Sequence, residues 1–204
     1  MSILSMRRRG AGEKKSKYLM TAASNPEVFA ICLAQGWCSS EGMTYEDAAA
    51  VTSTIEKIDG TNVRVFNRSN IVHFEEFLYF GVTNVDSSAF FNCVSLQNIK
   101  LPPNTTSLAG TVFQGCSSLE SIDIPATVSS IGSNCFVGCS SMQYAIVRPI
   151  TPPTLGNGTT FGTRGTTYPI YVPDESVEAY KAANYWNGEI IVGRIRPISE
   201  FVQP

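Results

Sequence analysis

Histidine and charged side chains are scarce in this sequence. Its 204 residues include one histidine, His73, and only 16% of them are charged. One imidazole cannot supply most catalytic triads or histidine-rich metal sites. Glu75 and Glu76 are adjacent, so on a strand they would point to opposite faces and could not form an acid–base pair. The nucleophile elbow, the phosphate loop and the dinucleotide fingerprint are also missing. We therefore predict that the protein is not an enzyme and binds no cofactor.

Long apolar runs are missing as well. The basic stretch ending at Arg9 is followed by Gly-Ala-Gly-Glu-Lys-Lys-Ser, and the apolar stretch 28–34 is short and follows Pro26. Neither resembles a usual secretory signal, and neither is long enough to span a membrane. We expect no membrane partner, and we expect any route to the cell exterior to differ from such a signal.

The sequence instead contains a repeat of constant length. The motif F-x-[GN]-C-x-S-[LM] begins at Phe90, Phe113 and Phe136, which gives a period of 23 in the numbering. Apolar residues such as Ile122 and Ile124 then alternate with others, as a strand with one buried face requires. One short strand cannot bury its face alone, so units stacked about 4.8 Å apart would share a continuous core.

The proline, glycine and asparagine residues of the repeat fit the same arrangement. Pro102 and Pro125 follow the apolar positions and would end the strands, because proline cannot donate a hydrogen bond to a sheet. Asn92, Gly115 and Gly138 lie one residue before the cysteines, where a turn needs residues that tolerate positive φ. We predict a left-handed backbone at all three.

The cysteines of the repeat are predicted to pack rather than to bind metal. Cys93, Cys116 and Cys139 recur once per unit, and a buried free thiol acts as a small apolar side chain. The sequence has no C-x2-C pair and only one histidine, so we expect no metal site. A disulfide between neighbouring units, or between Cys32 and Cys38, is the alternative that remains open.

The extended pattern F-x-[GN]-C-x-S-L-x-x-I-x-[LI]-P resembles the BspA-type leucine-rich repeats of gut anaerobes. Residues 71–80 look like the lead-in segment of these proteins, and residues 152–155 with 170–181 look like their closing segment. The resemblance covers roughly residues 44–198. It implies a leucine-rich-repeat fold and a non-enzymatic binding or structural role, but it names no ligand.

The expected fold class is α+β and mostly β, a short leucine-rich-repeat solenoid of period 23 with helical caps at its N-terminal and C-terminal ends. Caps are expected because the end units of a solenoid have open faces. The predicted divisions are a basic arm (1–20), a helical cap with a hairpin (21–72), the leucine-rich repeats (73–150) and a C-terminal cap of strand, helix and edge strand (151–204). Helices are expected to begin after Asn25, after a capping box of Thr44 with Asp47, and after Asp174.

Two rows of side chains should point outwards from the repeat strands in register. The first row is Asn98, Ser121 and Tyr144, and the second is Lys100, Asp123 and Ile146. Lys100 and Asp123 would be cross-strand neighbours, an exposed ion pair that contributes only a few tenths of a kcal/mol. Tyr144 and Ile146 would add an apolar end. These six residues form the candidate binding strip.

Charge is distributed unevenly along the chain. Residues 1–17 contain six basic residues and one acidic residue, whereas the rest contains 9 basic and 16 acidic residues. The basic side chains of this arm are Arg7, Arg8, Arg9, Lys14, Lys15 and Lys17. They would form either a solvated tail or an anchor on an acidic partner surface. Interleaved aromatics and a basic face on the body are missing, so we expect no nucleic-acid partner.

Two functions fit these features. The first is a phage virion component, such as a tail, baseplate or head-fibre subunit, because the arm resembles the start of some phage appendage proteins that carry these repeats. Its partners would be other virion proteins and further copies of itself, with a host surface protein or glycan as a further contact. The alternative is an adhesin module on the bacterial cell surface that binds host protein or glycan.

Overall fold

Short strands, most of them paired in parallel, are the main regular element of the computed structural model, which describes residues 17–58 and 61–203 of the chain. The strands of this part are β1 (Ile55–Ile58), β2 (Thr61–Arg64), β3 (His73–Phe74), β4 (Asn84–Val85), β5 (Asn98–Ile99), β6 (Ser107–Leu108), β7 (Ser121–Ile124), β8 (Ser130–Ile131), β9 (Tyr144–Val147), β10 (Thr154–Leu155), β11 (Ile170–Val172) and β12 (Ile195–Pro197). The α-helices of this part are α1 (Pro26–Ala34), α2 (Tyr45–Ala50) and α3 (Val177–Ala182), and short 3-10 helices connect several of the elements. The predominance of strands over helices agrees with the predicted fold class, which is α+β and mostly β.

Strands from consecutive repeats pair with one another in parallel. One sheet has the order β4-β6-β8-β10, and a second has the order β7-β9-β11-β12. In the central units Ser107 pairs with Ser130, and Ser121 pairs with Tyr144. Partners in both pairs occupy the same position of successive repeats, so the sequence period is the pairing register. Strands β1 and β2 form the predicted hairpin, which is antiparallel, and the residues that connect them, 59 and 60, lie outside the described residues.

A column of five phenylalanine rings runs through the buried core. This phenylalanine stack consists of Phe66, Phe90, Phe113, Phe136 and Phe161. Adjacent ring centroids are 5.2–5.5 Å apart with interplanar angles of at most 15°. All five side chains are buried. Each fully buried phenylalanine contributes about 1.5–3 kcal/mol of hydrophobic free energy, so the stack is a principal source of stability. It includes two rings beyond the three in the sequence motif.

Each repeat cysteine donates its thiol proton to the unit before it. The acceptors of Cys93, Cys116 and Cys139 are the backbone carbonyls of Phe66, Phe90 and Phe113, at 2.9, 3.0 and 3.2 Å. All six cysteines are free, so the predicted packing is confirmed and the disulfide alternative is not observed. Burial raises the pKa of these thiols, to about 12 for Cys139.

Two positions in each central unit have a left-handed backbone. Asn92, Gly115 and Gly138 have φ of +55°, +78° and +82°, as predicted. A Cβ on Gly115 would lie 2.0 Å from Asn92 Oδ1, so this turn excludes larger residues for steric reasons as well. The second position was not predicted, and it is occupied by Ser88, Thr111 and Asn134.

The α-helices lie outside the central units, and the predicted capping box of one of them is confirmed. Thr44 N donates to Asp47 Oδ2 at 2.8 Å, and Asp47 N donates to Thr44 Oγ1 at 3.1 Å, which is the predicted capping box of α2. In α1, Val28 and Phe29 are buried and belong to the same hydrophobic cluster as the phenylalanine stack. Among the described residues, no helix has the length and apolar character that a membrane crossing requires.

The other two predicted caps make no capping hydrogen bond to their helices, although α1 does begin directly after Asn25, as predicted. The Asn25 side chain donates to His73 O at 3.0 Å and to Glu76 Oε2 at 2.9 Å, instead of bonding the first turn of α1. Asp174 Oδ1 accepts a hydrogen bond from Ser199 N at 3.0 Å, and a 3-10 turn separates it from α3. Both side chains therefore have partners that are distant in the sequence, which local signals cannot reveal.

Candidate functional site

The candidate binding strip is only partly arranged as the sequence predicts. Ser121 pairs with Tyr144 and Asp123 with Ile146 across β7 and β9, in the expected register. Asn98 lies on β5, which pairs with β3, and its side-chain nitrogen is 3.2 Å from His73 Nδ1. The predicted cross-strand register of the two rows is therefore confirmed between β7 and β9.

The apolar end of the strip is covered by the C-terminal segment, contrary to expectation. Ile146 was expected to be exposed, but its exposed fraction is 6%. It pairs with Tyr171 on β11, and the ring of Phe201 lies 5.1 Å from that of Tyr171 and 4.7 Å from that of Tyr144. The segment around Phe201 has no repeat pattern, and its aromatic contacts with Tyr144 and Tyr171 are the physical reason why it covers the strip.

The expected ion pair between Lys100 and Asp123 is also wrong. Lys100 Nζ lies 2.7 Å from Glu75 Oε2, whereas Arg148 binds both oxygens of Asp123, at 2.6 and 2.7 Å. The planar guanidinium matches a carboxylate in a way that an ammonium cannot, and its hydrogen bond to Asp123 raises the pKa of Arg148. These side chains are 47–59% exposed, so each pair adds at most about 1 kcal/mol of stability.

Beside these ion pairs lies a groove, which we name the Leu101 groove. Its apolar walls are Leu78, Leu101, Pro103, Pro125 and Ala126. Lys100, Asp123 and Arg148 line its rim, and its volume is about 460 Å³. An apolar cavity with a few convergent polar groups is the common form of a binding site. The groove therefore combines two residues of the predicted strip with a surface that the sequence did not reveal.

The charged side chains at the rim of the groove are already paired with one another or with Glu75. His73, the one histidine of the sequence, lies on β3, and its Nδ1 contacts the side-chain nitrogen of Asn98 on the paired strand β5. Within 17–58 and 61–203, no group of three or more His, Cys, Asp or Glu side chains could hold a metal ion.

The predicted anchor lies mostly outside the described residues. Arg7, Arg8, Arg9, Lys14 and Lys15 are all in that part of the chain. Lys17 is exposed, and a hydrogen bond from its Nζ to Tyr18 Oη, 3.2 Å long, raises its pKa. The Tyr18 hydroxyl in turn donates to Glu41. The next residue, Leu19, donates its N–H to Met43 O at 2.7 Å, so the chain is docked from this point onwards.

One sequence signal could have located the groove. Pro102 and Pro125 recur at the period of the repeat, and Arg148 stands at the third position of that series. A charged residue in the place of a strand-ending proline breaks the pattern at the rim of the groove. The contribution of Leu78 could not be inferred, because it lies in a 3-10 helix (Glu75–Tyr79) outside the repeats.

Comparison with known families agrees with this geometry. Six copies of the BspA type leucine rich repeat region match residues 54–157, which is just over half of the chain. No curated protein matches the sequence. The matched residues contain the strands that pair at the sequence period, and proteins of this kind generally have binding or structural roles rather than enzymatic ones. The chain belongs to the BspA-type leucine-rich repeat family.

Proposed function

We propose that the protein is a non-enzymatic binding or structural component whose stacked repeats form a short solenoid. The observation that carries this proposal is the phenylalanine stack. Its five rings are at most 1% exposed and follow one another at 5.2–5.5 Å, so it leaves no space for a substrate between them. Recognition must then use the outer side, where the Leu101 groove and the exposed part of the binding strip lie.

Aromatic residues at both ends of the stack support the proposed caps. The ring of Trp37 lies 6.0 Å from that of Phe66, and the ring of Trp186 lies 5.2 Å from that of Phe161. Trp186 Nε1 also donates to Pro153 O at 2.7 Å, so its one polar group is satisfied although the ring is fully buried. The four domain divisions given above, with boundaries after 20, 72 and 150, remain part of the proposal.

The finer proposal is a virion component in which the basic arm anchors the chain and the repeats project. It is supported by the contrast between the arm, with six basic residues and one acidic residue, and the acidic remainder of the chain. The alternative is an adhesin module on the bacterial surface, which would use the same outer side on host protein or glycan.

Fractionation of the native source distinguishes the two. An antibody against the chain should detect it in the density-gradient band that contains virions, and detection only in the cell-envelope fraction would favour the adhesin. The role of the arm is tested by replacing Arg7, Arg8 and Arg9 with Gln. The altered chain should lose co-sedimentation with particles, and unchanged co-sedimentation would show that the arm is not the anchor.

A further inference from the structure

The Leu101 groove lies where the repeat departs from its own pattern. Arg148 occupies the position that Pro102 and Pro125 occupy in the two preceding units. Its backbone N–H, which a proline lacks, donates to Ile124 O at 3.0 Å, so the strand pairing extends to this position. Arginine at this position therefore adds both a backbone hydrogen bond and a guanidinium beside the groove.

The hydrogen-bonding capacity left at the rim is mainly that of donors. Arg148 uses Nε and Nη2 on Asp123, and its Nη1 has no acceptor in the part of the chain that the structure describes. Lys100 Nζ has three N–H donors and one acceptor there, Glu75. Both carboxylate oxygens of Asp123 already accept from Arg148. A ligand that completes these groups must supply acceptors.

The charges around the groove balance, because Arg148 is paired with Asp123 and Lys100 with Glu75. The N–H groups that remain unused nevertheless belong to the two cations. A carboxylate is the natural complement of a guanidinium and an ammonium, because charge-assisted hydrogen bonds are about twice as strong as neutral ones.

The shape of the groove favours a protein segment over a free small molecule. Leu101 is buried, but Pro103, Ala126 and Arg148 are exposed, so the site is a shallow surface feature. Small-molecule sites bury most of the ligand surface, about 70–90% of it. An extended chain can instead place one side chain in the groove while its neighbours lie on the surface around it.

We propose that the Leu101 groove binds a protein segment in which an apolar side chain stands next to a carboxylate. The apolar side chain packs on Leu101 and Pro125, and the carboxylate accepts hydrogen bonds from Arg148 and Lys100. This inference rests on the proposed binding function and specifies the chemistry of the partner.

Fluorescence anisotropy with the full chain and labelled peptides tests the proposal. The probe is a hexapeptide with a central Leu-Glu pair, and its matched controls contain Leu-Gln, Leu-Lys or Ser-Glu. The Leu-Glu peptide should bind at least about tenfold more tightly than each control. Equal binding of the Leu-Gln or Ser-Glu peptide, tighter binding of the Leu-Lys peptide, or no binding of the Leu-Glu peptide would overturn the proposal.

Variants locate the interaction. Arg148→Gln and Lys100→Gln should each weaken binding of the Leu-Glu peptide about tenfold, whereas Asp123→Asn, which removes a negative charge from the same rim, should not weaken it. All three side chains are about half exposed, and circular dichroism would verify that the variants fold. Unchanged binding by Arg148→Gln contradicts the assignment. If sedimentation shows that the wild type is a dimer and that Arg148→Gln is a monomer, the occupant of the groove is a second copy of this chain, which would also contradict the assignment.

Failure of the groove and failure of the proposed function give different results. If the chain co-sediments with virions or cell envelopes but does not bind the Leu-Glu peptide, the groove assignment is wrong and the binding function stands. If the chain binds the peptide through Arg148 but co-sediments with neither, the groove assignment stands and the proposed setting is wrong.

Discussion

The central repeats and the C-terminal continuation build one phenylalanine stack with different polar chemistry. In the central repeats, the carbonyls of Phe90 and Phe113 each accept a thiol proton from the next unit. At the C-terminal end, the carbonyl of Phe161 accepts from Arg194 Nη2 and from Tyr168 Oη, both at 2.9 Å. Because a buried carbonyl must be hydrogen-bonded, the ring position recurs while its donor changes with the local sequence.

Spacing differs between the regions in the same way. The central rings follow one another at the constant period of the repeat, from Phe90 to Phe136. The step into this series from Phe66 and the step out of it to Phe161 are both slightly longer. The longer steps leave the ring distances unchanged at 5.4 and 5.2 Å. Insertions in surface loops cost little free energy, so the stack tolerates irregular steps that a search for exact repeats would miss.

The largest expected effect comes from removing a central ring. Phe113→Ala should lower the free energy of unfolding by about 3–5 kcal/mol, because the ring is fully buried between two others and the change leaves a cavity. Urea denaturation of the two proteins measures this difference. Phe113→Leu retains most of the apolar volume and should cost clearly less. A loss below about 0.5 kcal/mol for the Ala variant would place the ring outside a packed core.

The next effect concerns the C-terminal donor. Arg194 is 7% exposed, and its guanidinium donates to the carbonyls of Phe161, Tyr168 and Ile190. Burial lowers its pKa, but its hydrogen bonds keep the three carbonyls satisfied. Arg194→Met should therefore lower the free energy of unfolding by about 2 kcal/mol, again measured with urea.

The matched control for that change is Arg196→Met. Its guanidinium is exposed and bonds only nearby carbonyls, so the expected effect is within about 0.5 kcal/mol. Equal effects of the two substitutions would mean that Arg194 does not have the special role that distinguishes the C-terminal region from the central repeats.

How far the sequence predicts the molecule depends on the region. The ring and thiol positions of the central units follow from the period, because each unit repeats the same contacts. Phe66 and Phe161 lie outside the motif, and Arg194 reaches the stack from a segment without any repeat. Long-range contacts of this kind leave no local pattern, and for the same reason Phe201 over Tyr144 was not foreseen. In the site, the register of β7 and β9 was predictable, but the walls of the Leu101 groove were not.

A smaller loss of stability at alkaline pH is expected from the buried thiols of the central repeats. The pKa of Cys139 is raised from 9.0 to about 12 by burial, so folding favours the neutral thiol. Its contribution is fully present below pH 9, the unfolded value, and is lost as the pH rises towards 12. Between about pH 8 and 10 this thiol should therefore reduce the free energy of unfolding by about 1.4 kcal/mol. The free energy of unfolding, measured with urea at about pH 8 and about pH 10, should fall by about 1.4 kcal/mol more in the wild type than in Cys139→Ala, and an equal fall in both would contradict burial of the thiol.

The smallest effect concerns the segment that covers the binding strip. Phe201→Ala removes the ring that packs on Tyr144 and Tyr171 and should cost about 1 kcal/mol of stability, because an aromatic pair contributes about 0.5–1.5 kcal/mol. Hydrogen exchange at residues 198–203 should become faster. Val202→Ala alters a side chain that is 83% exposed and should change neither quantity. Equal exchange in the Phe201 variant and the wild type would show that this ring does not hold the segment in place.

The common core of the repeats is tested most directly by contacts between phenylalanine rings, measured as nuclear Overhauser effects in a chain with labelled phenylalanine. The structure predicts cross-peaks between rings 66 and 90, 90 and 113, 113 and 136, and 136 and 161, whose centroids are 5.2–5.5 Å apart. Rings two steps apart should give none. Cross-peaks between rings 90 and 136, or none between consecutive rings, would contradict a shared stack.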